Sequence, residues 1–156
     1  MRAAGEYSQE IERLRAERAR RGLGARVSAE VGDMACPPQS CGPFDLVWSE
    51  GALYNIGLRN ALCSCHALLR PGGYLAFTDA VWRTQDIPDA VRELFADYPT
   101  MGTVADVLAL LPAHGFELIG HFPVPDDAWW DEFYTPMRAR ITELRANGSF
   151  GAEGLA

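Results

Sequence analysis

Between Phe44 and Trp82 the apolar pattern changes period twice, and that change restricts the chain to an α/β fold. Leu46-Val47-Trp48 is a short apolar run without polar alternation, the pattern of a strand covered on both faces. It ends at Ser49-Glu50-Gly51, where the sequence turns polar and flexible. From Leu58 the spacing becomes helical: Leu58, Ala61, Leu62, Cys65, Leu68 and Leu69 share one face, with Arg59, Asn60 and Ser64 opposite. Pro71-Gly72-Gly73 stops the helix, because proline cannot continue it and glycine accepts positive φ. Tyr74 to Thr78 then reads as a second strand. Strand, helix and strand make a βαβ unit, whose crossover is right-handed. Open parallel sheets bind ligands outside the carboxyl ends of their strands, so Ser49 to Tyr54 and Asp79 to Trp82 are where chemistry is expected.

The same residues carry a resemblance. FDLVWSEGALYNIG followed by LLRPGGYLAFTDAVW resembles the fourth and fifth strands of a class I S-adenosylmethionine-dependent methyltransferase, and is most similar to the small-molecule branch. The LLRPGG turn, in register with FDLVWSEGA and an upstream Gly32-Asp33-Met34, carries it, and the likeness extends over roughly residues 6–145. It implies an α/β, Rossmann-like class I methyltransferase sheet of mostly parallel strands with flanking helices. It also implies an enzyme with S-adenosylmethionine as cofactor and a small-molecule methyl acceptor as partner.

Site residues follow from the resemblance position by position. Glu6, in Glu6-Tyr7-Ser8, matches the acid that binds the cofactor ribose; a carboxylate accepts both hydrogen bonds of a cis-diol. As a residue near a chain terminus, Glu6 is equally well a surface glutamate. Asp33 matches the acid that accepts from the adenine amine, and Met34 the apolar contact beside the ring. Gly-Asp is also ordinary turn chemistry. Ser49 and Glu50 fall near the methionine end of the cofactor or facing the acceptor. Glu50 has two open roles, holding the cofactor's ammonium or taking a proton from the nucleophile. Tyr54 and Asn55 are candidates to hydrogen-bond the acceptor, or a half-buried ring and a helix cap.

The resemblance implies two departures. The family's first strand and its GxGxG turn would precede Glu6, and no GxGxG occurs in the sequence. The last strand of the family's antiparallel hairpin is also not evident after Arg145. The sheet is therefore expected to be incomplete and both ends to be cut, as a fragment, a misplaced start or a reduced homologue. That glycine turn lets backbone approach the cofactor, so its absence removes a main binding wall.

Elsewhere the pattern gives helices and two further strands. A helix capped by Ser8 carries Glu10 and Glu12 in its first turns and ends at Arg18, Arg20, Arg21 and Gly22. Residues 26–31 are expected to be a strand, pairing directly with 44–49 or leaving a gap. Residues 116–122 (FELIGHF) are expected in the same sheet or at its edge. Pro88 opens a helix with Val91, Leu94 and Phe95 inward, and Thr103 caps another with Val104, Val107, Leu108 and Leu111 on one face. An aromatic-rich helix with Trp129, Trp130, Phe133 and Tyr134 follows, then a last helix from Thr135-Pro136. One domain over residues 1–146 with a loose tail at 147–156 is expected.

Composition narrows the function classes. Net charge is −7, but residues 1–26 hold seven arginines against four glutamates. Those charges alternate along a helix and read as a solvated face, while the acidic remainder argues against nucleic acid. The four cysteines form no CxxC pair and the three histidines are scattered, so no metal site is expected. No apolar run approaches the ~20 residues of a membrane span, which points to a cytoplasmic chain without membrane contact. Methyl transfer needs neither metal nor triad, only proximity and a dry site. The competing reading is a non-catalytic remnant of the fold that serves as a partner-binding module. A nicotinamide-dependent enzyme is disfavoured, since LLRPGG lies before a strand and not before a helix.

Overall fold

The structure is a computed structural model that describes residues 4–29, 31–37 and 42–148, with side chains from residue 9 onward. Residues 1–117 and 118–156 form two compact units.

In the first unit, β1 (Phe44–Glu50), α2 (Leu58–Leu68) and β2 (Leu69–Thr78) build the expected strand-helix-strand unit, preceded by α1 (Ala4–Arg20). The two strands pair in parallel, with Leu46 opposite Tyr74 and Glu50 opposite Thr78. The register jumps near the start: Phe44 faces Leu69, yet Leu46 faces Tyr74, so Arg70 to Gly73 loop out of the ladder. Gly72 supplies the positive φ (74°) that this loop requires. The RPGG signal thus marks a bulged turn inside the strand, and Asp45 and Arg70 form an ion pair across it.

One face of this sheet is covered. Val47, Leu75 and Phe77 pack on a cluster of Leu53, Leu58, Ala61, Leu62, Cys65 and Leu111, with α2 supplying the predicted stripe. Contrary to expectation, the other face is open. Leu46 and Tyr74 are half exposed and Trp48 is 67% exposed. Continuous apolarity in β1 reflects two apolar faces, of which the described residues cover one. The structure is an α/β fold with a two-stranded parallel sheet and flanking helices, consistent with an incomplete Rossmann-like methyltransferase fold.

Two predicted strands are absent from that sheet. Val27 and Ala29 lie beside α1, and their carbonyls go to side chains: Arg18 donates to Val27 O at 2.8 Å and Arg15 to Ala29 O at 3.1 Å. Guanidinium donors replace the ladder that a neighbouring strand would have supplied. Residues 116–122 are irregular as well; Phe116 joins the core, whereas Ile119 and Phe122 are more than 80% exposed. α1 also begins earlier than predicted, at Ala4, so Glu6 and Ser8 lie within it and Ser8 is not its cap. Its end is as expected: the amide of Leu23 bonds Arg18 O and that of Gly22 bonds Ala19 O, with Gly22 at φ 67°, a Schellman motif. Pairs such as Arg15–Glu12 and Arg20–Glu17 give α1 its solvated, charge-alternating face.

α3 (Asp89–Leu94) starts after Pro88, but Val91, Leu94 and Phe95 are exposed and not inward. α4 (Val104–Leu110) carries a capping box between Thr103 and Asp106, and turns Val107, Leu108 and Leu111 to the core while Val104 stays exposed.

The second unit holds α5 (Asp126–Trp129), a π-helical turn over Trp130–Tyr134, and α6 (Thr135–Ala146). Its aromatics contact one another, Trp129 with Phe133 and Trp130 with Tyr134, and Arg138 lies 4.9 Å over the Trp130 ring. None of its described residues is buried.

Candidate functional site at the carboxyl ends of the strands

β1 and β2 both end at the same edge of the sheet, and the segments that leave it are tied together. The Gly51 amide donates to Thr78 O at 3.2 Å and to its hydroxyl at 2.9 Å, so the turn after β1 is pinned to the tip of β2. A 3-10 turn, Leu53–Ile56, follows and buries Leu53. Asn55 donates its side-chain amide to Ala52 O, closing this turn; the residue preceding α2 is Gly57, so Asn55 is not the cap of α2.

Of the predicted site residues, Ser49, Glu50 and Tyr54 lie along this edge, with Ser49 and Glu50 on opposite faces of β1. Ser49 is half-buried and sits opposite Phe77. Glu50 is exposed, and its Oε1 accepts the indole N–H of Trp48 at 2.7 Å. The Tyr54 ring is half-buried against Tyr98, centroids 5.3 Å apart. Asp33 and Met34 are not drawn in: both are exposed, and Asp33 Oδ1 accepts the amide of Ala35 at 2.9 Å, closing its own turn. Glu6 lies in the first turns of α1, and its side chain falls outside the described residues.

The edge also contains a pair the sequence reading did not single out. Asp79 is the first residue beyond β2, and Tyr98, 7% exposed, donates its hydroxyl to Asp79 Oδ2 at 2.7 Å. Asp79 Oδ1 accepts the amide of Ala80 at 2.9 Å. Burial pushes the Asp79 carboxyl above its ordinary value, and the hydrogen bonds from Tyr98 and Ala80 pull it partly back. Burial, with the Asp79 carboxylate beside it, raises the Tyr98 phenol strongly, so it remains a donor. Asp79 was legible as the acid at a strand's carboxyl end; Tyr98 was not, because it arrives from a turn distant in sequence. Below it the amide of Trp82 donates to Gly102 O at 2.9 Å, and Trp82 meets the edge of Phe95. A concavity of 440 Å³ lies beside Tyr98, lined also by Gly57, Asn60, Thr100 and Leu110.

Among the described residues no cluster of histidine, cysteine or acidic side chains has a metal-holding arrangement. Cys63 is exposed and Cys65 buried, on different faces of α2 as their spacing requires, and burial raises the Cys65 thiol. Cys41 lies outside the described residues. Among the described residues no helix is long and apolar enough to cross a membrane.

Among the described residues, those assigned to S-adenosylmethionine line neither of two concavities. Asp33 closes its own turn, Glu50 is engaged by Trp48, and neither this concavity nor a shallow one along α1 (Gln9, Glu12, Arg13, Ala16) is lined by any of them.

A family model described as a methyltransferase domain matches residues 5–77, from α1 to the end of β2. The match supports a class I methyltransferase and runs from the helix that holds Glu6 to the strands described above. No curated protein matches the chain.

Proposed function

We propose that the chain is a methyltransferase domain, over residues 1–146, that takes part in S-adenosylmethionine-dependent transfer of a methyl group to a small-molecule acceptor. The observation that carries this reading is the parallel β1–β2 pair, its tips pinned by Gly51 and Thr78, at the end of the region that the methyltransferase-domain model matches. In such a reaction the cofactor supplies an electrophilic methyl, and the protein's task is alignment and exclusion of water. In this reading Tyr54 and Asp79 would face the acceptor. Glu6, Asp33, Met34, Ser49 and Glu50 remain the residues through which cofactor would be held. Glu50 must release the Trp48 indole to act, and Asp33 must leave its own turn.

Titration calorimetry of the whole chain with S-adenosylmethionine tests the reading. Weak, saturable uptake that S-adenosylhomocysteine displaces is expected, because the chain has no GxGxG turn. Asp33→Ala should weaken that uptake by roughly 1–3 kcal/mol through the lost adenine hydrogen bond. Glu50→Gln should weaken it too if the carboxylate holds the ammonium, and leave it intact if Glu50 serves the acceptor.

The second reading, a non-catalytic partner-binding module, is favoured by one observation: the open sheet face of Leu46, Trp48 and Tyr74. No uptake at millimolar cofactor would favour it over the first.

A further inference from the structure

We propose that Asp79 recognises the methyl acceptor by accepting a hydrogen bond from its O–H or N–H group, with Tyr98 as the residue that positions it; this rests on the methyl-transfer reading above. Three observations lead there. The first is place. Asp79 follows β2 directly, at the sheet edge where an open α/β fold binds its ligands, beside the turn that Gly51 pins to Thr78.

The second is spare capacity. A carboxylate offers about four lone-pair positions. The Tyr98 hydroxyl and the Ala80 amide fill two of those on Asp79. Asp79 is half exposed whereas Tyr98 is buried, so the remaining positions can be reached from solvent while the bond that orients them is sheltered. Glu50, the other acid at this edge, is exposed and holds an indole instead.

The third is the company Asp79 keeps. Its positioning residue packs at a tilt against Tyr54, and the exposed part of the half-buried Tyr54 ring offers an aromatic wall near the carboxylate. A carboxylate beside such a wall suits a planar or apolar molecule with a neutral hydroxyl or an amine. It disfavours an anionic acceptor, whose charge would meet a half-buried like charge. Burial of Asp79 without full compensation strengthens the case, since a donor from the ligand stabilises the ionised form.

The test uses the full chain, labelled with ¹³C, and three phenyl compounds with different polar groups: phenol, benzylamine and benzoate. The readouts are the Asp79 carboxyl resonance and the Tyr98 ring signals. Phenol and benzylamine should move both, and benzoate should move neither. Asp79→Asn should weaken benzylamine binding about tenfold, the loss of one charge-assisted hydrogen bond, and Asp79→Glu should recover part of it. Tyr98→Phe should shift the resting Asp79 resonance and weaken phenol binding while Trp48 and Leu62 signals stay in place. Benzoate acting as strongly as phenol, no response to any of the three, or unchanged benzylamine binding in Asp79→Asn would each overturn the proposal. The comparison of the three compounds on the unaltered chain stands even if a variant does not fold. No methyl donor enters this titration, so its failure leaves the methyl-transfer reading intact, whereas failure of that reading shows separately, in the cofactor titration.

Discussion

Leu62→Ala should destabilise the chain by about 2–5 kcal/mol, the range for removing a buried leucine whose surroundings cannot fully collapse. Leu62 has no exposed surface and lies at the centre of the only sizeable apolar cluster among the described residues. Its neighbours come from the 3-10 turn (Leu53), from α2 (Leu58, Ala61, Cys65) and from Leu111, with Val47, Leu75 and Phe77 as the floor. Rigid helix and sheet backbone hold that shell, so a cavity persists. Against a typical total of ~5–15 kcal/mol for a domain, the loss is large. Urea denaturation followed by circular dichroism measures it. Leu94→Ala is the control: Leu94 is 81% exposed, and its loss should fall within about 0.5 kcal/mol. Equal effects at the two positions would mean that the β1–α2–β2 unit is not where the stability resides.

The same cluster explains what could be read from the sequence. α2 was legible because its stripe recurs at helical spacing and has one place to go; Leu58, Ala61, Leu62 and Cys65 are all buried. The parallel pairing of β1 with β2 followed from strand, helix, strand in order. Residues 26–31 and 116–122 were misread because a strand is a property of two segments, and the pattern of one cannot report whether a partner is there. Val27 and Ala29 alternate as a strand does, but Arg18 and Arg15 hold their carbonyls. Ile119 and Phe122 were apolar without being interior. The expectation that β1 was covered twice failed in the same way: Trp48 is apolar on a face the chain leaves open.

The site was legible in part for a related reason. Ser49, Glu50 and Tyr54 share one edge because they follow one another along a strand and its turn, although Ser49 and Glu50 face opposite sides of the sheet. Asp33 and Met34 needed a long-range placement that depends on a strand at 26–31, and with that strand absent nothing gathers them. Tyr98 was invisible for the opposite reason, since only folding brings it to Asp79.

Tyr98→Phe tests that contact through its dependence on pH. Burial raises the Asp79 carboxyl, so its folded pKa lies above its unfolded one. A group of that kind favours folding below its unfolded pKa, and the contribution is lost as pH rises through the folded value. At neutral pH the ionised carboxylate is therefore a cost, which the Tyr98 hydroxyl offsets by donating to it. Removing the hydroxyl exposes that cost and raises the Asp79 pKa further. A hydrogen bond to a charged group is worth ~1.5–3 kcal/mol; with Asp79 half exposed, solvent screening brings the expected deficit to about 1–2 kcal/mol at neutrality. As pH falls and Asp79 takes up a proton, the lost partner matters less, and the deficit should shrink towards that of a neutral hydrogen bond. Urea midpoints for both proteins at about pH 7 and about pH 4 measure the difference. The ring remains to stack on Tyr54, so packing alone predicts a deficit that is the same at both. A pH-independent loss would show that Tyr98 holds this edge by its ring, and that its hydroxyl does not orient a charged Asp79.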